Sequence, residues 1–160
     1  GLPVDEAAMN FGNENSLEVQ MPFIRYRFPG ARVVPVMMGH QTPGEINRLT
    51  EALSAVVQQY GGDVKIVASS DFSHYVPHEK AVSDDGYAIS ALTDSFDTKE
   101  FYSRITTRRI TACGYGPICT MIETLRTRGA TRCDLLSYTT SRETSGDWGQ
   151  VVGYAALAVN

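Results

Sequence analysis

Val64-Lys65-Ile66-Val67-Ala68-Ser69-Ser70-Asp71-Phe72-Ser73-His74-Tyr75 is the stretch on which the fold turns. Its first five residues form an apolar, β-branched run of strand length, and the reading is a buried strand. Asp71 and His74 then fall just past its carboxyl end, where α/β sheets gather ligands and catalytic groups. A second turn, Thr111-Ala112-Cys113-Gly114-Tyr115-Gly116-Pro117, joins a thiol to two glycines and a helix start. One carboxylate, one imidazole and one thiol on two such turns point to a metal site or a thiol active site.

Working outward, the chain alternates helical and extended signals. Asn15-Ser16-Leu17-Glu18 has the spacing of a capping box. Leu17, Met21, Ile24 and Phe28 continue it as one helical face, which Pro22 should kink or restart. Arg32 to Met38 reads as a short strand, with Pro35 arguing for an edge or an irregular position. Thr42-Pro43-Gly44-Glu45 opens a helix carrying Ile46, Leu49, Leu53, Val56, Val57 and Tyr60, and Gly61-Gly62 closes it. Further helices follow through Ala88, Ile89, Leu92 and Phe96, then from Asp97, then from Gly116-Pro117 to Gly129. Leu135–Thr140 and Val151–Val159 read as strands around a polar loop that holds Trp148. This order predicts one α/β domain over residues 1–160, a layered structure with a central mixed sheet flanked by helices.

Composition narrows the function. The 160 residues carry a formal net charge of −4, with 42% hydrophobic and 20% charged residues. Arg108-Arg109 is the only adjacent basic pair, so nothing electrostatic favours nucleic acid or an anionic membrane, and no apolar run is long enough to span a bilayer. Cys113, Cys119 and Cys133 are too few and too scattered for a disulfide framework, which fits a reducing cytoplasm. No Walker loop, GxGxxG, HExxH or paired CxxC occurs.

Each candidate has two readings. Asp71 either orients the His74 imidazole and fixes its tautomer, or caps the next element beside a half-exposed loop histidine. Cys113, at a helix start whose dipole favours a thiolate, is a metal ligand, a nucleophile, or a small buried hydrophobe before a tight turn. Cys119 and Cys133 read as structural. His40 is a weak ligand candidate by position, His78 reads as solvated, and Trp148 covers a pocket or is a lone exposed aromatic.

Glu14-Asn15-Ser16-Leu17-Glu18-Val19-Gln20-Met21-Pro22-Phe23, Ser69-Ser70-Asp71-Phe72-Ser73-His74, Cys113-Gly114-Tyr115-Gly116-Pro117 and the terminal Val152-Gly153-Tyr154-Ala155-Ala156 together resemble the Memo family, whose prokaryotic members are also called AmmeMemoRadiSam system protein B. That family is similar to the LigB-type class III extradiol dioxygenases. The resemblance implies Cys113 as a metal ligand to iron or copper, His74 in the place of a general base, and Asp71 as its neighbour. It implies a non-haem, dioxygenase-like redox site; the expected partner is a small-molecule ligand or, for a binding module, a peptide. It also implies that this chain matches the larger C-terminal part of a Memo protein. The family's two metal-binding histidines would lie in an N-terminal part that is absent, and uncovered sheet would favour a homo-oligomer. The family's Glu-His-Ser reads Glu14-Asn15-Ser16 here, so one imidazole is lost. The alternatives are a binding or scaffold module that kept the fold, or a thiol hydrolase with Cys113 as nucleophile, His74 as base and Asp71 as orienter.

Overall fold

A computed structural model describes residues 15–60 and 64–160. Glu14 of the first motif and the helix stop at Gly61-Gly62 lie outside the described residues. The chain divides into two compact units, Gly1–His40 and Gln41–Asn160.

In the first unit a 3₁₀ turn, Glu18–Gln20, leads into α1, Met21–Arg27. Pro22 falls in the first turn of α1, where its missing N–H costs nothing, so it restarts the helix as its position suggests. The start comes later than the expected Asn15 cap, because Leu17 holds the N-cap position of the 3₁₀ turn. The strand expected over Arg32–Met38 does not form. Pro35 cannot donate to a ladder, and this unit contributes no described strand for it to pair with. Val34 stays 82% exposed.

The second unit begins with α2, Pro43–Tyr60, capped as expected: the Glu45 N–H donates to Thr42 Oγ1 at 3.3 Å. The remaining elements are β1 (His74–Val76), α3 (His78–Thr93), α4 (Thr98–Arg108), α5 (Tyr115–Arg126), β2 (Cys133–Thr140), α6 (Arg142–Ser145) and β3 (Val151–Val159). Asp97 caps α4 by accepting from the Lys99 and Glu100 N–H groups at 2.8 and 3.0 Å. Gly129, with φ 93°, turns the chain just beyond α5. The helix expected through Ala88 and Leu92 begins ten residues earlier than its apolar pattern, at His78, so His78 is helical and half-buried rather than solvated in a loop.

The sheet has the order β1-β3-β2, and every described pairing is antiparallel, not mixed. β3 is central: Cys133 to Thr140 of β2 pair with Val159 to Gly153 on one side, and His74 pairs with Val152 on the other. The core lies between this sheet and helices α3 to α5. Phe72, Leu92, Phe101, Ile105, Ile122 and Val151 are each buried to 2% exposure or less. Each such side chain contributes about 1.5–3 kcal/mol on leaving water.

The expected strand over Val64–Ala68 is an extended segment without a ladder. Its alternation survives, with Lys65 and Val67 exposed and Ile66 and Ala68 half-buried. Next to it, Phe72 N–H donates to Gly153 O at 2.9 Å and Gly153 N–H to Ser73 O at 2.8 Å, so pairing with β3 is intact from Phe72 onward. Farther back, Ile66 and Ala68 of the segment and Ala155 and Leu157 of β3 line a pocket of about 190 Å³ together with Phe72 and Ile118. Asp71 and His74 therefore stand at the start of a short antiparallel strand, not at the carboxyl end of a buried one. Among the described residues no helix is long and apolar enough to cross a membrane.

Candidate functional site

The two turns singled out by the sequence cross each other. Gly114 is the crossing point: a Cβ there would lie 2.7 Å from the Ser69 carbonyl oxygen and 2.7 Å from Ser70 Cβ. Its backbone angle is unremarkable, so close approach rather than a left-handed conformation demands glycine here. Ser70 stitches the crossing. Its Oγ donates to the Asp71 carbonyl at 2.7 Å and accepts the Gly114 N–H at 2.8 Å. Cys113 N–H donates to the same Asp71 carbonyl at 3.1 Å.

This crossing brings together all three site candidates. The Asp71 N–H points at Cys113 Sγ, 3.2 Å away, and Ser70 Oγ lies 3.8 Å from the same sulfur. Cys113 is an exposed free thiol just before α5, whereas Cys119 and Cys133 are free and buried. Burial, aided by the charge of Glu123, pushes the Cys119 thiol up to about 12. Burial, with Asp134 nearby, pushes Cys133 up to about 11. Both are packed thiols, as their positions suggested.

His74 is oriented from the Cys113 turn. Its N–H donates to Thr111 Oγ1 at 2.6 Å, and its ring Nδ1 lies 2.7 Å from the Thr111 carbonyl oxygen. A carbonyl can only accept, so Nδ1 carries the proton and Nε2 of the neutral ring is left with its lone pair. Asp71 Oδ2 stands 3.6 Å from that Nε2. The tautomer is thus set by Thr111, not by Asp71 as the spacing alone suggested. Asp71 is placed instead to form an ion pair when the ring takes up a second proton. The next residue, Tyr75, sits in a bulge of β1 at φ 54°, is 73% exposed, and has its ring edge-on to His74 at 6.0 Å. A bulky residue held there costs about 1–3 kcal/mol, and such strain and bulges cluster at functional sites. Tyr154 of β3 faces the same place: its phenol is raised by burial and then by the charges of Asp71 and Tyr75.

Two residues of the site carry no signal in the sequence motifs. Gln41 bridges the turn with one amide, donating from Nε2 to the Cys113 carbonyl at 2.7 Å and accepting the Gly116 N–H at 2.6 Å. Asp85 lies beneath Ser73 and accepts from its N–H and its hydroxyl. His78 and Trp148 form a separate cluster. The His78 ring meets Trp148 edge-on at 5.3 Å and Thr140 Oγ1 at 3.0 Å, while Arg142 stacks 3.5 Å over the indole. His40 is an exposed residue at the end of the first unit.

Chemically, the crossing offers a thiol, a base with a free lone pair, and a carboxylate beside that base. Neither His74 nitrogen is engaged with Cys113 Sγ, so the imidazole is not set as the base of that thiol. Among the described residues no three His, Cys, Asp or Glu side chains converge in a way that would hold a metal ion.

The family model described as Memo-like protein matches residues 3–158. A MEMO1 family protein of Methanococcoides burtonii is 42% identical over 159 residues, 99% of this chain and 59% of its own length. One from Caldivirga maquilingensis is 40% identical over 153 residues, covering 96% of this chain and 54% of its own. One from Methanosarcina mazei is 37% identical over 160 residues, covering 99% and 60%. The chain therefore spans little more than half the length of these curated relatives.

Proposed function

The chain belongs to the Memo family, and on that premise we propose that Gln41–Asn160 carries the thiol and proton-transfer half of a non-haem redox site. In this reading Cys113 is the chain's ligand to iron or copper and His74 is its acid–base group. The observation that carries it is the 2.7 Å contact of His74 Nδ1 with the Thr111 carbonyl, which leaves Nε2 open as a base. When Nε2 takes a proton from a bound small-molecule substrate, Asp71 at 3.6 Å stabilises the imidazolium. Tyr75 and Tyr154 flank the turn and supply apolar and phenolic surface for that substrate.

The described donors do not by themselves fit a metal. Iron and copper sites draw on three or more donors, and only Cys113 offers a soft one here. The further ligands of this proposal come from the part of the relatives' length that this chain does not span. Free cysteines at all three positions support a reducing, cytoplasmic setting.

The test is metal analysis after anaerobic loading with Fe(II) or Cu(I). It compares this chain and a full-length relative, each with and without the substitution Cys113→Ser or its counterpart. Near-stoichiometric metal in the full-length protein, lost with the cysteine, supports the proposal. Metal retained without the cysteine overturns the ligand role of Cys113, and none bound to either protein overturns the metal reading in favour of a binding module.

A further inference from the structure

Asp85 is a carboxylate that the proposed chemistry does not use. It sits in the middle of α3, is 0% exposed, and pairs with no cation among the described residues. Burying a carboxylate costs free energy unless its lone pairs are filled, and here they are filled by a specific set. Ser73 N–H donates to Oδ1 at 3.1 Å, Ser73 Oγ to the same oxygen at 2.6 Å, and Tyr138 OH to Oδ2 at 2.8 Å. Gly153 makes the room: a Cβ at that position would lie 2.0 Å from Asp85 Oδ2 and 3.1 Å from the Tyr138 hydroxyl. No side chain could be accommodated there while the carboxylate keeps its place.

Ser73 is the residue between Asp71-Phe72 and His74. Its N–H and hydroxyl go to Asp85, and its carbonyl accepts the Gly153 N–H at 2.8 Å. Phe72 beside it is 1% exposed and pinned to Gly153 O. The half-exposed pair Asp71 and His74 thus flanks a buried, fully bonded anchor. The Cys113 turn holds the two ends of this span at Asp71 and His74, while Asp85 and Gly153 hold the two residues between them.

We propose that Asp85 is a positioning residue of the site: by holding Ser73 it sets the backbone from which Asp71 and His74 project, and so keeps His74 Nδ1 on the Thr111 carbonyl. This rests on the reading of His74 as an Nε2 base. Tyr138 and Gly153 serve the same end, one as the second-oxygen donor and the other as the gap.

The experiment is long-range ¹H–¹⁵N NMR of the His74 ring at one fixed pH, on the full chain and on Asp85→Ala, Asp85→Asn and Ser73→Ala. In the wild type the Nδ1–H tautomer should exceed the other by about tenfold or more, as a fixed hydrogen bond to a carbonyl requires. Asp85→Ala should collapse that excess toward the mixture of a free imidazole while the methyl spectrum of Leu92 and Ile122 stays native. Asp85→Asn, whose side-chain oxygen still accepts from Ser73, should restore it. Where Asp85→Ala fails to fold, Ser73→Ala removes only the hydroxyl bond and should give a partial loss. An unchanged His74 tautomer in folded Asp85→Ala or Ser73→Ala, with only the melting temperature lowered, overturns the positioning role. A wild-type ring found as Nε2–H instead sinks the reading of His74 as base, and that failure is visible before any variant is made.

Discussion

The Thr111 carbonyl oxygen and His74 Nδ1, 37 residues apart in sequence, meet at 2.7 Å, and the Thr111 hydroxyl accepts the His74 N–H at 2.6 Å. One residue of the Cys113 turn thus holds both the backbone and the ring of the histidine on the other turn. The two bonds have different chemistry. The carbonyl bond survives any side-chain change, whereas the hydroxyl bond does not.

Thr111→Val should therefore separate them. It deletes the acceptor of the His74 N–H but keeps the carbonyl and the β-branched shape. At this exposed position the expected loss is about 1 kcal/mol. Urea unfolding with an unchanged m-value checks it. The Nδ1–H tautomer of His74 should persist, and its loss would show that the hydroxyl, not the carbonyl, orients the ring.

Gly114→Ala tests the crossing itself. The new methyl would meet a backbone oxygen and Ser70 Cβ at 2.7 Å, neither of which is the free end of a flexible side chain. The turns must part, at a cost of about 1–3 kcal/mol. The contact of Asp71 N–H with Cys113 Sγ should go with them. A variant as stable as wild type in urea, with the Asp71 amide resonance unmoved, would show that the crossing is looser than the geometry indicates.

What the sequence made legible was local. Thr42, Asp97 and Gly129 announced helix ends, because caps and turns are settled by a few neighbouring residues. The motifs around Asp71, His74 and Cys113 also declared that they belonged together. The strands were less readable. Val64–Ala68 and Arg32–Met38 have strand composition, but a strand exists only with a partner, and neither run has a ladder among the described residues. The supports of the site were not legible at all. Gln41 and Asp85 act across 72 and 12 residues through single side chains, and an amide or a carboxylate in a helical stretch normally reads as solvated surface. Thr111 was in view but acts through its carbonyl, which no side-chain pattern reveals.

Asp85 should also leave a mark on stability against pH. Burial raises its carboxyl above the ordinary value of 3.8, opposed by the Ser73 and Tyr138 hydrogen bonds and reinforced by the charge of Asp84. In the window between 3.8 and that raised value the folded state holds a proton that the unfolded chain has released. By linkage, stability must then fall as pH rises through the window and level off above it. Asp85→Asn cannot ionise, so its unfolding free energy should lack this descent. Denaturant titrations of both proteins across the acid range check the sign. A descent equally steep in Asp85→Asn would assign it to other groups.

The three thiols should differ sharply in reactivity. Cys119 and Cys133 are 2% exposed, and burial holds them protonated up to about 12 and about 11. The thiolate is the reacting species, so neither should be alkylated while the fold is intact. Cys113 is exposed and sits against the Asp71 N–H, so iodoacetamide at neutral pH should label one thiol of the native chain and all three after denaturation. Peptide mapping should place the native label on Cys113, and Cys113→Ser should leave the folded chain unlabelled. His74→Ala should not slow the labelling by more than about twofold, because the imidazole nitrogens face Thr111 and Asp71 rather than the sulfur. A loss of tenfold or more in His74→Ala would reverse that conclusion and restore the histidine as base of a thiol nucleophile.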